Sequence, residues 1–244
     1  MKATLLFLAL SAVAVAQVLV GVIGGSPAAS STTITRVAVS RNSADVSCTP
    51  SCSVTVASTG AGHLLVLVYL AYEHYNAHLS SVSNGGTWVV PSGCYAQNTS
   101  QSAAGDIAYS LSSSSGTTSL SITLSANNAA SQFAMYEYSG GTFSLDGACG
   151  KLDNQAAAAH QLSPSMTTTA SNDVIVTGLY TTNIHYGSLA ATGTGWTTPA
   201  LGLPTSTALV AVTDALTVAA GTYQASFSGY ATDGYASSAS AFHN

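Results

Sequence analysis

From residue 33 onward, apolar and polar residues follow one another with the periods that β-strands produce. Most segments have an apolar residue at every second position, and residues 63–72 form a continuous apolar run of the kind found in sandwich cores. Glycine- and serine-rich turns separate the segments, and no stretch after residue 25 has a clear helical period. The predicted strands are 33–40, 52–57, 63–72, 87–90, 106–111, 119–124, 133–138, 173–179, 207–212, 222–227 and 235–242.

These strands predict an all-β fold, a two-sheet antiparallel jelly-roll-like sandwich of roughly 9 to 12 strands. The sandwich domain is expected to span residues 32–244. Its predicted core consists of Leu65, Val66, Leu67, Val68, Trp88, Ile122, Phe133, Ile175, Trp196 and Phe227.

The two halves of this domain resemble each other in sequence. Residues 63–69 align with 173–180, residues 86–88 with 195–198, and residues 120–125 with 223–228. We therefore predict an internal duplication, with related halves at about 32–142 and 143–244. Neither copy is expected to bury its apolar face alone, so the two copies would stack into one sandwich.

The first 25 residues carry a single charge, Lys2, followed by an apolar run. A secretory signal is predicted at residues 1–16. Its charged region is Lys2, its apolar core is residues 5–10, and its small-residue cleavage site is Ala14 to Ala16. The alternative is an uncleaved membrane anchor, because residues 3–23 are long enough to span a bilayer. The position of the small-residue site and the glycines after it favour cleavage before Gln17.

Residues 17–31 would then form an apolar N-terminal segment and a flexible linker. An exported chain that left this segment in water would expose an aggregation site, so the segment must be buried. Three placements remain open: a first strand of its own domain, a retained anchor or helix, or a donor strand that enters a neighbouring subunit. The donor strand is favoured, and it would generate a filament because a head-to-tail contact does not close. Its assembly residues are Val18, Leu19, Val20, Val22 and Ile23.

Composition restricts the partners. Charged residues make up 5% of the chain, and only four residues are Lys or Arg. Such a surface cannot track phosphates, which excludes nucleic acid as a partner. With a net charge of −5, the polar, weakly charged surface is typical of secreted or cell-surface proteins that assemble or carry glycans.

Four cysteines in an exported chain predict two disulfides. Three connectivities are possible, and the short Cys48–Cys52 spacing favours a local loop that leaves Cys94 to pair with Cys149. A zinc site is disfavoured because no second cysteine pair has ligand spacing.

Several segments resemble a β-sandwich module of secreted bacterial and archaeal surface and adhesin-like proteins. The resemblance rests on residues 64–69, 79–88, 108–109 and 135–140, and it covers the chain from about 60 to 242. The match is partial, because the central turn reads Asn84-Gly85-Gly86-Thr87 where the module usually has Asp-x-x-Gly-Asn-Thr. The resemblance implies a jelly-roll-like fold in an extracellular setting, and it implies no catalytic residues.

Two glutamates and a group of tyrosines suggest carbohydrate chemistry. Glu73 and Glu137 both fall at predicted strand ends, and paired carboxylates are the catalytic groups of many glycoside hydrolases. A tyrosine-rich face would suit sugar stacking in an adhesin or carbohydrate-binding module. We favour a protein that is not an enzyme, since Glu137 could equally accept hydrogen bonds from the backbone. The tyrosines concerned are Tyr72, Tyr75, Tyr136 and Tyr138.

Metal binding and glycosylation have weaker signals. His74 and His78 are four residues apart, with Glu73 and His185 as further ligands if the halves superpose. Asp146, Asp153 and Asn154 flank Cys149 but match no defined calcium loop. We therefore predict no metal and no cofactor. Asn98 begins the one N-glycosylation sequon, and its occupancy depends on the host.

The favoured function is a structural subunit of an extracellular filament or cell-surface assembly, polymerised by donor-strand insertion. Its main partner would be a second copy of this chain, and it would contact a membrane only if residues 1–16 were retained. The alternative is a secreted adhesin or carbohydrate-binding module, followed by a glycoside hydrolase that uses Glu73 and Glu137.

Overall fold

The computed structural model describes residues 33–42, 44–72, 75–158, 160–181, 190–192, 195–197, 209–228 and 234–244. These residues all belong to one compact unit, Ser31–Asn244. They contain 20 strands, one 3₁₀ turn at Ser92–Cys94 and no α-helix, which confirms the all-β fold class. The strands are β1 (Thr35–Arg41), β2 (Val46–Cys48), β3 (Ser51–Thr55), β4 (Leu64–Tyr72), β5 (Leu79–Ser83), β6 (Ala96–Asn98), β7 (Ala103–Ser110), β8 (Ser119–Leu124), β9 (Asn128–Ser139), β10 (Ser144–Leu145), β11 (Gly150–Gln155), β12 (His160–Leu162), β13 (Met166–Thr168), β14 (Asp173–Thr181), β15 (Ala190–Thr192), β16 (Trp196–Thr197), β17 (Leu209–Val218), β18 (Gly221–Tyr223), β19 (Ser226–Ser228) and β20 (Tyr235–His243).

Each half of the chain builds one large antiparallel sheet. In the first half the strand order is β1-β9-β4-β7-β6, with β2 beside β9. In the second half it is β10-β20-β14-β17-β16, with β11 beside β20. The central strands β4 and β14 are the apolar runs recognised in the sequence, and each is nine residues long.

Smaller sheets accompany each large one. Strands β3-β8-β5 form a three-stranded sheet in the first half, and β12-β19-β15 and β13-β18 form the corresponding pieces in the second. In the first half the chain alternates between the two sheets, passing from β1 to β3, β4, β5, β7, β8 and β9 in turn. Among the described strands, no pairing crosses the predicted boundary at residue 142.

Alternate residues of β4 enter two different apolar layers. Leu64, Val66 and Val68 belong to a cluster that also contains Val174 and Val176 of β14, so this cluster lies between the two large sheets. The intervening residues of β4 face a second cluster, which the small sheet β3-β8-β5 covers.

The second half repeats this arrangement on the other side. Ile175 and Leu179 of β14 face a third cluster with Met166 and Phe227 from the smaller strands. The described strands therefore stack in four layers, small–large–large–small, and not in the two layers expected from the sequence. Nine of the ten predicted core residues are buried, and Trp88 is partly buried against the second cluster.

Close backbone approach brings the two large sheets together. Gly105 of β7 faces the ring of Tyr180 of β14, and a Cβ atom at Gly105 would lie 2.2 Å from that ring. Tyr180 is fully buried and its hydroxyl lies 2.5 Å from the hydroxyl of Ser238. Glycine at this strand position therefore permits the packing of one half on the other.

Candidate functional site

Both disulfides form with the favoured connectivity. Cys48 is bonded to Cys52 and Cys94 to Cys149. The second bond joins the 3₁₀ turn of the first half to the segment before β11 in the second half. Two disulfides indicate that the chain matures in an oxidising environment outside the cytoplasm.

Asn98, the predicted glycosylation site, is buried in the folded chain. Only 1% of its surface is exposed, and it is the last residue of strand β6. Its Nδ2 donates hydrogen bonds to the carbonyls of Gln155 (3.2 Å) and Tyr235 (3.1 Å). The nitrogen that would carry a glycan therefore connects the two halves, and this arrangement disfavours glycosylation of Asn98 in the folded chain.

The predicted tyrosine-rich face does not exist as one surface. Tyr136 and Tyr138 are fully buried between the large sheets, where their rings stack at a centroid distance of 6.0 Å. Tyr75 is exposed, and the side chain of Tyr72 lies outside the described part of the chain. Alternate side chains of β9 enter two different apolar clusters, so both faces of this strand are covered. The tyrosines on it therefore do not reach the surface.

Glu137 is buried and serves the fold. Its Oε1 accepts hydrogen bonds from the Gly60 backbone N–H (2.7 Å) and from Nδ1 of His63 (2.6 Å). Glu73, the other carboxylate of the predicted pair, lies outside the described residues.

The proposed metal ligands remain separate where they are described. Glu73, His74 and His185 lie outside the described residues, and the rest of the described chain contains no cluster of three or more metal-ligating side chains. The loop carboxylates predicted for calcium have protein partners: Asp146 accepts from Thr169, and Asp153 from Lys151 and the Gln97 N–H. Asn154 accepts in the same way, from Thr99.

The assembly residues Val18, Leu19, Val20, Val22 and Ile23 lie outside the described part of the chain. Among the residues that are described, no helix has the length and apolarity needed to cross a membrane.

Three edge strands expose large apolar side chains. Val37 of β1, Leu145 of β10 and Leu162 of β12 are 48%, 39% and 37% exposed, and each strand is the last one of its sheet. Unpaired edge strands are templates for further pairing unless charges, prolines or bulges protect them. Strand β1 carries such a bulge, because its register shifts between Arg36 and Ala38 and leaves Val37 without a partner in β9.

A buried ion pair lies behind this edge. The side chain of Arg36 is 26% exposed, and its guanidinium lies 2.5 Å from the carboxylate of Asp214 of β17, which is fully buried. The same carboxylate accepts hydrogen bonds from Tyr138 (2.9 Å) and Thr197 (2.6 Å). The charge next to Val37 is therefore engaged inside the molecule and does not shield the edge. Sequence reasoning missed this pair, although Arg36 is one of only four basic residues.

A surface cleft lies in the first half of the chain, between β5 and the 3₁₀ turn. Its volume is about 440 Å³, within the range of small-molecule sites. Tyr95 and His78 form its aromatic wall, with ring centroids 5.1 Å apart. The residues that line it are His78, Leu79, Ser80, Val90, Pro91, Ser92, Tyr95 and Asp106.

The carboxyl group of Asp106 lies at the back of this cleft and is 1% exposed. Burial raises the pKa of Asp106 to about 7. Hydrogen bonds from the Ile107 and Leu79 N–H groups lower this pKa, but the effect of burial is larger. Burial, together with the nearby Asp106 charge, also raises the pKa of Tyr95 to about 12. The phenol is therefore neutral at physiological pH, and Asp106 keeps its proton to a higher pH than an ordinary aspartate does. The signal in the sequence was Asp106 itself, a carboxylate within an otherwise small and apolar strand.

Comparison of the chain with protein-family models, with curated proteins and with solved structures finds no match. The resemblance to a secreted surface module consequently stays a prediction from the sequence motifs.

Proposed function

We propose that this chain is a secreted structural subunit that polymerises at the cell surface through donor-strand exchange. The observation that supports it best is the exposed apolar edge of β1 around Val37, combined with an apolar segment, Val18–Ile23, that precedes the domain. Strand addition supplies main-chain hydrogen bonds to an edge and covers its apolar side chains.

Strand length favours β1 over the other two edges. The donor segment has six residues, and β1 has seven, whereas β10 and β12 have two and three. Residues 24–31 separate the donor from the domain and extend at most about 29 Å, a span that would let the donor reach a neighbouring subunit. An inserted strand would cover Val37 and give each subunit one donor and one acceptor.

The matching strand orders of the two halves fit a scaffold function. We infer that both halves derive from one duplicated jelly-roll-like unit, since β1-β9-β4-β7 corresponds position for position to β11-β20-β14-β17. Cross-linking of these halves by a disulfide, a buried ion pair and hydrogen bonds from Asn98 would suit a subunit that transmits load.

The test compares the mature chain with a variant that lacks residues 17–25. Electron microscopy and light scattering should show filaments for the parent chain and folded monomers for the deletion variant. A parent chain that stays monomeric and melts at a higher temperature than the deletion variant would identify residues 17–25 as a strand of their own domain. Filaments that persist without this segment would reject the donor-strand mechanism.

A matched pair of substitutions tests the acceptor edge. Val37→Lys should prevent filament growth, because a charge on an edge strand opposes pairing. Val89→Lys is the control, since Val89 is 43% exposed but lies in an isolated bridge with Tyr109. Equal loss of filaments in both variants, or in neither, would contradict assignment of β1 as the acceptor.

A further inference from the structure

We propose that the cleft beside Tyr95 binds a single residue of a neutral glycan. This site is distinct from the tyrosine-rich face suggested by the sequence, and it does not depend on the proposed assembly. Four features of the cleft support it: a fixed aromatic wall, hydroxyl groups at the rim, a buried carboxyl group and the absence of cationic side chains from its described lining.

The aromatic wall is held in place before any ligand arrives. The hydroxyl of Tyr95 donates to the backbone carbonyl of Tyr75 and lies 3.3 Å from Oε1 of Gln97. The adjoining residue Cys94 is buried and bonded to Cys149, so the turn that carries Tyr95 is covalently tied to the second half. A ring fixed in this way loses little conformational entropy when a flat ligand stacks on it.

His78 contributes an oriented acceptor next to this ring. Its Nδ1 lies 3.0 Å from the carbonyl oxygen of Leu79, a geometry in which Nδ1 carries the proton. Nε2 is then the ring nitrogen that faces a ligand in this proposal. The backbone N–H of His78 donates a hydrogen bond to the hydroxyl of Ser125 (3.1 Å), which fixes the segment just before β5.

The polar groups match the hydroxyls of a sugar. Ser80 and Ser92 are exposed at the rim, and Asp106 lies at the back. Sugar hydroxyls donate and accept, and hydroxyl and carboxyl groups complement both roles. Val90 and Pro91 provide an apolar wall for the C–H groups of a pyranose ring.

Charge decides between ligand classes. The described lining contains no Lys or Arg and the chain has a net charge of −5, which disfavours an anionic ligand. A cationic ligand would need an ionised carboxylate, whereas burial of Asp106 favours its neutral form. A neutral sugar therefore fits better than an acidic sugar or an amine.

The experiment is isothermal titration calorimetry of the complete mature chain with cellotetraose, mannotetraose and chitotetraose. Trigalacturonate serves as the anionic probe and Nα-acetyl-lysine methylamide as the cationic probe. We expect saturable binding of at least one neutral oligosaccharide and none of the charged probes. Saturable binding of no neutral oligosaccharide, or of a charged probe alone, would overturn the proposal.

Substitutions at Tyr95 locate the binding. Tyr95→Ala should weaken binding about tenfold by removing the stacking surface, and Tyr95→Phe should retain it. Tyr223→Ala is the control, because Tyr223 is half-buried on β18 and does not line the cleft. Circular dichroism would verify the fold of each variant. If folded Tyr95→Ala bound as tightly as the parent chain, or Tyr95→Phe lost binding to the same extent, the assignment to this cleft would be wrong.

Discussion

The guanidinium group of Arg36 lies 2.5 Å from the carboxylate of Asp214, and this contact joins residues 178 positions apart. Arg36 belongs to the edge strand of the first large sheet and Asp214 to β17 of the second. Asp214 is fully buried and also accepts hydrogen bonds from Tyr138 and Thr197. A buried carboxylate of the second half is therefore paired with a cation of the first half.

Arg36→Met should lower the free energy of unfolding by about 3–5 kcal/mol, because it leaves the buried Asp214 carboxylate without its cation. Denaturant unfolding of the parent chain and the variant measures this difference. The double variant Arg36→Met/Asp214→Asn should recover part of the loss, since no buried charge then remains unpaired. A loss below about 1 kcal/mol would mean that the pair behaves as an ordinary surface salt bridge.

The two disulfides should differ in their contribution to stability. The Cys94–Cys149 bond closes a span of 55 residues and the Cys48–Cys52 bond a span of 4. Chain-entropy arguments assign about 4 kcal/mol to the longer loop and about 2 kcal/mol to the shorter one. We expect Cys94→Ala/Cys149→Ala to reduce the unfolding free energy more than Cys48→Ala/Cys52→Ala in matched denaturant titrations. The opposite ranking would show that the shorter loop dominates.

Asp106 should make the protein less stable as the pH rises from about 4 to 7. The folded pKa, about 7, is above the ordinary value of 3.8, so in this window the unfolded chain has lost a proton that the folded chain retains. The contribution of Asp106 to stability is therefore greatest at low pH, falls through the window by at most about 4 kcal/mol and is constant above it.

Asp106→Asn should flatten this dependence and raise stability at pH 8, which melting curves across the pH range would measure. Asp45→Asn, at an exposed position, is the matched control and should leave the profile unchanged. A profile with the same slope in Asp106→Asn and the parent chain would show that another group controls it.

Gly105→Ala should destabilise the fold by about 1–3 kcal/mol, because its methyl group would overlap the buried ring of Tyr180. Gly93→Ala is the control, since a Cβ atom there comes no closer than 3.6 Å to its neighbours and makes ordinary contacts. Thermal unfolding of both variants tests the difference. Equal melting temperatures would mean that the two large sheets can separate slightly at this point without cost.

The alternation of apolar and polar residues in the sequence predicted the positions of the long strands well. Strand β8 has the predicted bounds, Ser119–Leu124, and β4, β14 and β20 differ by no more than two residues at either end. Residues 87–90 were expected to form a strand and contain only an isolated bridge at Val89. The short strands, such as β10 and β12, were missed because two or three residues are too few to show a period.

The number of layers could not be predicted from the same pattern. Leu64 and Leu65 enter different clusters, yet the run that contains them would look the same in any strand covered on both faces. Tyr136 and Tyr138 were misassigned to a surface for this reason. The cleft was missed because it depends on a contact between separate strands, with Asp106 of β7 lying behind the turn that carries Tyr95.

The apolar cluster between the two large sheets has a consequence for folding during synthesis. The inner face of the first large sheet, with Leu64, Val66 and Val68, is covered only by strands from the second half. A ribosome adds residues at about 5–20 per second, so residues 143–244 are completed roughly 5 to 20 s after the first half. During that interval the first half presents an uncovered apolar sheet, and a chain that stops at residue 142 keeps it permanently. We therefore expect the two halves to fold as one cooperative unit, because the first large sheet gains its apolar cover only when the second half is complete.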